Sequence, residues 1–167
     1  MNVLLCESHY RSRSWITALE NYNNLYLLSV MPEEYKIYLK KCFDKEKICN
    51  LTPLAIKHSF QGVNFKKKLD YLKKFEKEYK INLNFFVLMD RTLRNKSYAV
   101  TIDYIYKIIK KEINFLDKKN IQLIFMEPTW FHELILCKIA KAKKIPVFAP
   151  VRDKLLTDKF YFFTGFE

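Results

Sequence analysis

Short uninterrupted apolar runs recur along the chain and predict buried strands. The clearest are Asn2–Cys6, Leu25–Val30 and Ile121–Met126, which have the length of strands and are followed by polar segments. A strand with one face in water alternates apolar and polar positions, whereas a strand buried on both faces of a parallel sheet is apolar throughout. We therefore expect these three segments to lie side by side as parallel strands near the centre of one sheet.

Four other apolar segments are less decisive. Lys47–Leu51 and Pro146–Ala149 predict shorter strands, and the aromatic run Phe160–Phe163 follows them. Phe85–Met89 fits either a strand or a buried helix, because so short a run cannot show periodicity. Both assignments of that segment stay open from the sequence.

Helical periodicity separates these runs. In Tyr98–Leu116, aliphatic residues recur at three- and four-residue steps, and Ser97 is placed to cap the helix. Strands that alternate with helices are typical of a mostly parallel sheet. The sequence therefore predicts an α/β fold, a Rossmann-like open sheet with helices on both faces, as a single domain over residues 1–167. The other predicted helices are Trp15–Tyr22, Pro32 to about Cys42, Phe65–Tyr79 and Trp130–Ala142.

The amino-acid composition argues against several kinds of binding site and against a membrane-spanning segment. Only two glycines occur, Gly62 and Gly165, so the glycine-rich loops of P-loop and dinucleotide-binding proteins are excluded. The four cysteines are scattered without a C-x-x-C pair, which argues against a zinc site or a disulfide framework. No apolar run reaches the roughly 18–20 residues of a transmembrane helix, and the first strand lacks the flanks of a secretory signal. We predict a cytoplasmic protein with no metal and no cofactor.

The net charge is strongly positive, at +12 from 30 basic and 18 acidic residues. Such a balance is typical of proteins with an anionic partner, such as nucleic acid, a phosphorylated substrate or a membrane surface. However, 25 of the basic residues are lysines and only 5 are arginines. Lysine is a common solvating residue, whereas arginine recognises anions through a rigid fork. A compositional origin of the charge therefore stays open, and the arginines become the more informative residues.

All of the arginines follow predicted strands or the ambiguous apolar run. Ligands of open α/β sheets bind in the crevice outside the carboxyl ends of the strands, so polar residues in those loops are candidates for a site. Glu127 and His132 follow the clearest late strand. The candidate substrate-binding residues are His9, Arg11, Arg13, Asp90, Arg91, Arg94 and Arg152.

Glu127 is the first candidate for a catalytic residue, because it directly leaves the strand Ile121–Met126. A carboxylate or an imidazole there could act as a general base toward a sugar hydroxyl, and His132 is the second candidate. Structural roles for the candidate residues are the alternative to these catalytic and binding roles. Asp90 could accept hydrogen bonds from the amides of its loop. The charge of Glu127 could interact favourably with the dipole of the helix that follows it. If the sheet is parallel, Glu127, His132, Asp90 and Arg91 should share one edge and face the loop His9–Arg13.

Several short motifs resemble those of bacterial surface-carbohydrate glycosyltransferases. The string Glu127–Leu134 (EPTWFHEL) is similar to their E-x-T-x-x-x-E stretch, and Lys144-Ile-Pro146 is similar to a turn that leads to an arginine-bearing loop, here Arg152. Asp90–Leu93 (DRTL) looks like their D-R-x-L element, and Asp158–Phe163 (DKFYFF) looks like their D-R-F-x-F-F ending with lysine in place of arginine. The opening strand and its loop resemble the amino-terminal domain of the GT-B class.

The resemblance implies a function. Such enzymes transfer a sugar from a nucleotide-activated donor, and their amino-terminal domain shapes the side of the cleft that holds the carbohydrate acceptor. The length of the chain corresponds to that domain, so a second, donor-binding domain on another chain is an expected partner.

The alternative is a basic α/β module that is not an enzyme and binds nucleic acid or an anionic surface. Nucleic acid is the weaker of these partners, because no recognised binding motif is present. An anionic membrane remains a candidate partner, and the expected location is the cytoplasm or the inner face of the membrane.

Overall fold

The computed structural model describes residues 1–7, 24–30, 44–54, 65–152 and 160–164. Six strands form one sheet: β1 (Val3–Glu7), β2 (Leu25–Ser29), β3 (Ile48–Asn50), β4 (Leu123–Phe125), β5 (Val147–Arg152) and β6 (Phe160–Thr164). The described residues contain four α-helices, which are α1 (Phe65–Tyr79), α2 (Leu83–Met89), α3 (Tyr98–Lys118) and α4 (Phe131–Ala142). Two short 3₁₀ helices, Lys45–Lys47 and Thr52–Leu54, flank β3.

The strand order is β3-β2-β1-β4-β5-β6. Strands β1 to β5 are parallel to one another, and β6 pairs antiparallel with β5 at the edge. The three continuous apolar runs are the adjacent strands β2, β1 and β4, as predicted. The fold is thus α/β and Rossmann-like, with an open, mostly parallel sheet.

Burial on both faces explains the continuous apolar character of these strands. Leu4, Leu28 and Ile124 point into the larger core, to which all four described helices contribute. Val3 and Leu27 belong to a second buried cluster on the opposite face. The predicted helices Trp15–Tyr22 and Pro32 to Cys42 lie outside the described residues.

The ambiguous segment Phe85–Met89 is part of helix α2. Asn82 caps this helix, since its side-chain oxygen accepts a hydrogen bond from the amide of Phe85 at 3.3 Å. Within the segment Phe86 is buried, whereas Phe85 and Leu88 are exposed, which does not fit a strand in the middle of a sheet. Of the two assignments that the sequence left open, the helix is the correct one, so Arg91 and Arg94 follow a helix and do not leave a strand.

Two further boundaries differ from the sequence prediction. Strand β5 extends to Arg152, so Arg152 ends the strand instead of lying in the loop beyond it. Helix α3 begins after Ser97 as predicted, but the hydroxyl of Ser97 does not cap it. The carbonyl of Ser97 instead accepts hydrogen bonds from the amide and the hydroxyl of Thr101, at 3.0 and 3.1 Å.

Candidate active site

The order of the strands places a topological switch point at the carboxyl ends of β1 and β4. From β1 the chain proceeds to β2 and β3 on one side, whereas β4 and β5 lie on the other side. Val3 pairs with Leu123 and Leu5 with Phe125, so the two strands run in register toward the same edge. Such a switch point is where open α/β sheets bind ligands. Residues 126–130, which leave β4, therefore stand at the expected ligand site.

Asp90 links the turn after α2 to the start of α4. Its Oδ1 accepts hydrogen bonds from the amides of Thr92 (2.8 Å) and Leu93 (3.0 Å) and from the Thr92 hydroxyl. Its Oδ2 accepts a hydrogen bond from the amide of Phe131 at 3.1 Å. Burial acts to raise the pKa of Asp90, but these hydrogen bonds outweigh it and the pKa is lowered. The carboxylate is therefore an ionised anchor between two segments that are 41 residues apart.

Glu133 holds the amides just before α4. Its Oε2 accepts hydrogen bonds from the amides of Thr129 (2.7 Å) and Trp130 (2.9 Å) and from the Thr129 hydroxyl (3.1 Å). The first amides of a helix have no partner within the helix, and a glutamate in its first turn often supplies one. Asp90 and Glu133 together fix the path of the chain from β4 into α4.

His132 and Glu133 also carry buried atoms whose hydrogen-bonding capacity is unused. Among the described residues, His132 Nε2 and Glu133 Oε1 have no hydrogen-bond partner. The two atoms are 3.9 Å apart. Burial lowers the pKa of His132, although the charges of Glu133 and Asp90 partly oppose the shift. The imidazole is therefore neutral at neutral pH and able to accept a proton.

A second buried carboxyl group, Glu112 of α3, belongs to the same region. Neither of its oxygens has a hydrogen-bond partner in the described part of the chain. Burial, followed by the nearby charge of Glu133, raises its pKa well above the ordinary value. Glu112 is therefore protonated and neutral at neutral pH.

The cysteines near these carboxyl groups are protonated. Burial and the charges of Glu133 and Glu112 raise the pKa of Cys137 to about 12, against a smaller opposing effect of Lys138. Burial also raises the pKa of Cys6 and of Cys49. Because the thiolate is the nucleophilic form, a cysteine nucleophile does not fit this site.

The predicted site residues differ in their exposure and in their positions in the fold. Glu127 is exposed two residues beyond the end of β4, and His132 is buried in the first turn of α4. Asp90 reaches that same turn through Phe131, and Arg91 and Arg94 are exposed just after it. His9, Arg11 and Arg13 lie outside the described residues, as does the expected position of their loop opposite Glu127. The side chain of Arg152 is likewise not described.

Sequence reasoning missed the roles of Glu112 and Glu133. A signal for Glu112 was available, because it is three and four residues from Ile109 and Leu116 on the apolar face of α3. A carboxylate on such a face is buried when the helix packs. Glu133 could have been found because it lies three residues after Trp130, where the predicted helix begins, and a glutamate at that spacing reaches back to the preceding amides.

The described residues offer neither a metal-binding group nor a membrane-spanning helix. Those residues contain no group of three His, Cys, Asp or Glu side chains arranged to hold a metal ion. None of the described helices combines the length and the apolar character needed to cross a membrane.

No protein-family model, no curated protein and no solved structure matches this chain.

The buried carboxyl group of Glu112 is expected to destabilise the folded protein at neutral pH. Replacing it by methionine should raise the free energy of unfolding at pH 7 by about 1–3 kcal/mol, because a buried carboxyl group without partners is removed. The unfolded chain releases this proton near pH 4.5, whereas the folded chain retains it. Glu112 therefore lowers stability increasingly as the pH rises above about 4.5. Thermal unfolding of Glu112→Met should show a gain at pH 7 that shrinks toward pH 4.

Glu78→Met is the matched control, because Glu78 is exposed on α1 and surface substitutions usually change stability little. A lower melting temperature of Glu112→Met at pH 7 would show instead that the carboxyl group stabilises the fold.

Proposed function

We propose that this chain is the acceptor-side domain of a glycosyltransferase that builds bacterial surface polysaccharide from a nucleotide-activated sugar. One observation carries the proposal. The segment that resembles these enzymes, Glu127–Leu134, stands at the switch point between β1 and β4, where this fold binds ligands. The chain around it is held by two carboxylates, Asp90 and Glu133.

Glu127 is the general base in this proposal. The amides at the start of α4 are held by Asp90 and Glu133, so Glu127 is not required for that structural task. Its side chain is exposed and can be reached by the hydroxyl group of a sugar. A base that removes the hydroxyl proton as the oxygen attacks the donor sugar is worth about 10²–10⁴-fold in rate.

His132 is the alternative base. Its imidazole is neutral at neutral pH because burial lowers its pKa. A proton accepted at Nε2 would be stabilised by Glu133 Oε1, which is 3.9 Å away. Nε2 is covered in this structure, so this role requires that the acceptor displace the groups over it. Glu127 needs no such rearrangement and is preferred for that reason.

The arginines are assigned to anion and hydroxyl recognition. Arg91 and Arg94 are exposed beside Asp90, and a guanidinium group forms paired hydrogen bonds with carboxylates and phosphates. His9, Arg11, Arg13 and Arg152 are assigned the same role from their sequence positions alone.

The donor nucleotide is assigned to a second domain, since this chain has only two glycines with which to form a phosphate-binding loop. The proposed location is the cytoplasm, with peripheral attachment to the inner face of the membrane.

The test is a binding comparison on the purified chain. We expect it to bind a subset of bacterial surface oligosaccharides on a glycan array, because the acceptor side is present. Calorimetry with UDP-, GDP- and CMP-sugars should show no tight, stoichiometric binding. Tight binding of a nucleotide sugar would contradict the assignment to the acceptor side. Failure to bind any oligosaccharide, together with salt-sensitive binding of nucleic acid, would favour the basic-module alternative.

A further inference from the structure

Helix α2 exposes an unusual amount of apolar surface. Phe85 is 58% exposed, Leu88 69% and Met89 57%, and Tyr98 at the start of α3 is 59% exposed. We refer to these four residues as the α2 patch. Single exposed apolar residues are common, but several close together typically mark a surface that contacts another phase or molecule.

The orientation of α2 is fixed by its other side. Leu83 and Phe86 are buried in the core. Asn82 caps the first turn, and the amide of Leu83 donates a hydrogen bond of 2.7 Å to Glu76 Oε1 on α1. The patch is therefore the outer side of a helix that is held firmly on its inner side. Its exposure is a property of the packed fold.

Basic residues border the α2 patch. Arg91 and Arg94 follow it directly and are exposed, with Lys96 close behind. Leu88 and Tyr98 line a hollow of about 320 Å³ to which Lys73, Arg94 and Lys96 also contribute. The acidic side chain that lines this hollow, Glu76, is engaged with the amide of Leu83. The apolar surface thus has a positive rim.

We propose that the α2 patch docks this protein on an anionic membrane surface. Phe85, Leu88 and Met89 enter the boundary between headgroups and acyl chains, and Arg91, Arg94 and Lys96 contact lipid phosphates. Interfacial helices combine an apolar side with basic residues in this way, and each basic residue near an anionic leaflet adds about 1 kcal/mol.

The charge of the rim favours this occupant over a second copy of the chain. Two copies that met through their α2 patches would bring the arginines and Lys96 of both rims together, and like charges at an interface oppose association. An anionic bilayer supplies the opposite charge. Docking through the α2 patch would provide the peripheral membrane attachment that the proposed function includes. It does not depend on sugar transfer.

Co-sedimentation with vesicles tests the surface. The full chain should bind vesicles of equimolar phosphatidylglycerol and phosphatidylcholine far more tightly than vesicles of phosphatidylcholine alone. Phe85→Ser/Leu88→Ser should weaken binding at least about tenfold, since each such side chain contributes roughly 1.5–3 kcal/mol when fully buried. Arg94→Gln should weaken it about fivefold. Met89→Ser provides a milder apolar change if the double variant unfolds.

Lys141→Gln is the matched control for charge. Lys141 is exposed ten residues along α4 from Phe131, which is about 15 Å of helix. Its removal changes the net charge as Arg94→Gln does but leaves the rim intact. We expect a change of less than about twofold at physiological salt, where charges farther apart than about 8 Å are largely screened.

A fluorescent reporter distinguishes insertion from simple electrostatic attraction. The chain already contains Trp15 and Trp130, so quenching is compared with that of the wild type. Leu88→Trp should show additional quenching by brominated acyl chains, whereas Lys141→Trp should not. The proposal is overturned if the chain fails to bind anionic vesicles, or if the double serine variant binds like the wild type. Equal quenching of the two reporters would overturn it as well. Glycan binding without vesicles should be the same in the wild type and the double serine variant, so the two proposals fail separately.

Discussion

Asp90→Ala is expected to lower the free energy of unfolding by about 3 kcal/mol or more. The substitution removes the acceptor for the buried amides of Leu93 and Phe131 and for the amide of Thr92. An unsatisfied buried donor costs about 1–3 kcal/mol, and hydrogen bonds to a charged group are among the strongest. For a chain of this size each kcal/mol corresponds to about 2–4 °C. Thermal and urea unfolding should therefore show a fall in melting temperature on the order of 10 °C.

Two variants separate this effect from a general loss of charge. Asp90→Asn retains an oxygen for the amides of Thr92 and Leu93 but places an amino group against the amide of Phe131, so its loss should be intermediate. Asp117→Ala removes a carboxylate from an exposed ion pair with Lys143, and such pairs contribute about 0–1 kcal/mol. An Asp90→Ala variant as stable as Asp117→Ala would show that the link between α2 and α4 is unimportant.

Asp90 also makes the free energy of unfolding depend on pH. Because the folded protein holds the pKa of Asp90 below its ordinary value, the carboxylate contributes its full stability above about pH 4. That contribution is lost as the pH falls through the lowered pKa. The difference in stability between the wild type and Asp90→Asn should accordingly shrink in acid.

The centre of the sheet was predictable because strands that are buried on both faces have a continuous apolar sequence. Leu25–Ser29 and Val3–Glu7 are apolar at almost every position, as is typical of strands in a parallel sheet with two covered faces. The segment Phe85–Met89 was not predictable from its apolar character. Its helix depends on the cap at Asn82 and on the packing of Phe86, and the packing is a tertiary contact.

The site was predictable only in part for a similar reason. Glu127 and His132 follow from the position of β4, which the sequence reveals. Asp90 reaches α4 by a hydrogen bond across 41 residues, and the sequence left open whether the element before it is a strand or a helix. Glu112 was overlooked because its burial follows from how α3 packs beside α4, which the spacing of apolar residues on α3 suggests only indirectly.

Glu127→Gln is expected to have the largest effect on activity. Glutamine preserves the size and hydrogen-bonding reach of the side chain but cannot accept the proton of an acceptor hydroxyl. If Glu127 is the base, the rate of sugar transfer should fall about 10²–10⁴-fold. Because Glu127 is exposed, the melting temperature should stay within the small range of surface substitutions.

Glu46→Gln is the control for this substitution. Glu46 is exposed in the 3₁₀ helix that precedes β3 and forms a long ion pair of 3.6 Å with Lys119. It therefore lies at the amino end of a parallel strand, away from the proposed acceptor site. His132→Gln provides the comparison with the alternative base, provided that its melting temperature shows that the buried site still folds.

The most direct measurement is the initial rate at which labelled sugar enters surface polysaccharide in membranes from cells that lack this gene. Each strain is complemented with one variant expressed at an equal level. We expect wild type and Glu46→Gln to restore incorporation fully, and Glu127→Gln to leave it at least about 10²-fold lower. Incorporation at the wild-type rate with Glu127→Gln would remove this carboxylate from the mechanism, and normal incorporation without the gene would contradict the proposed function itself.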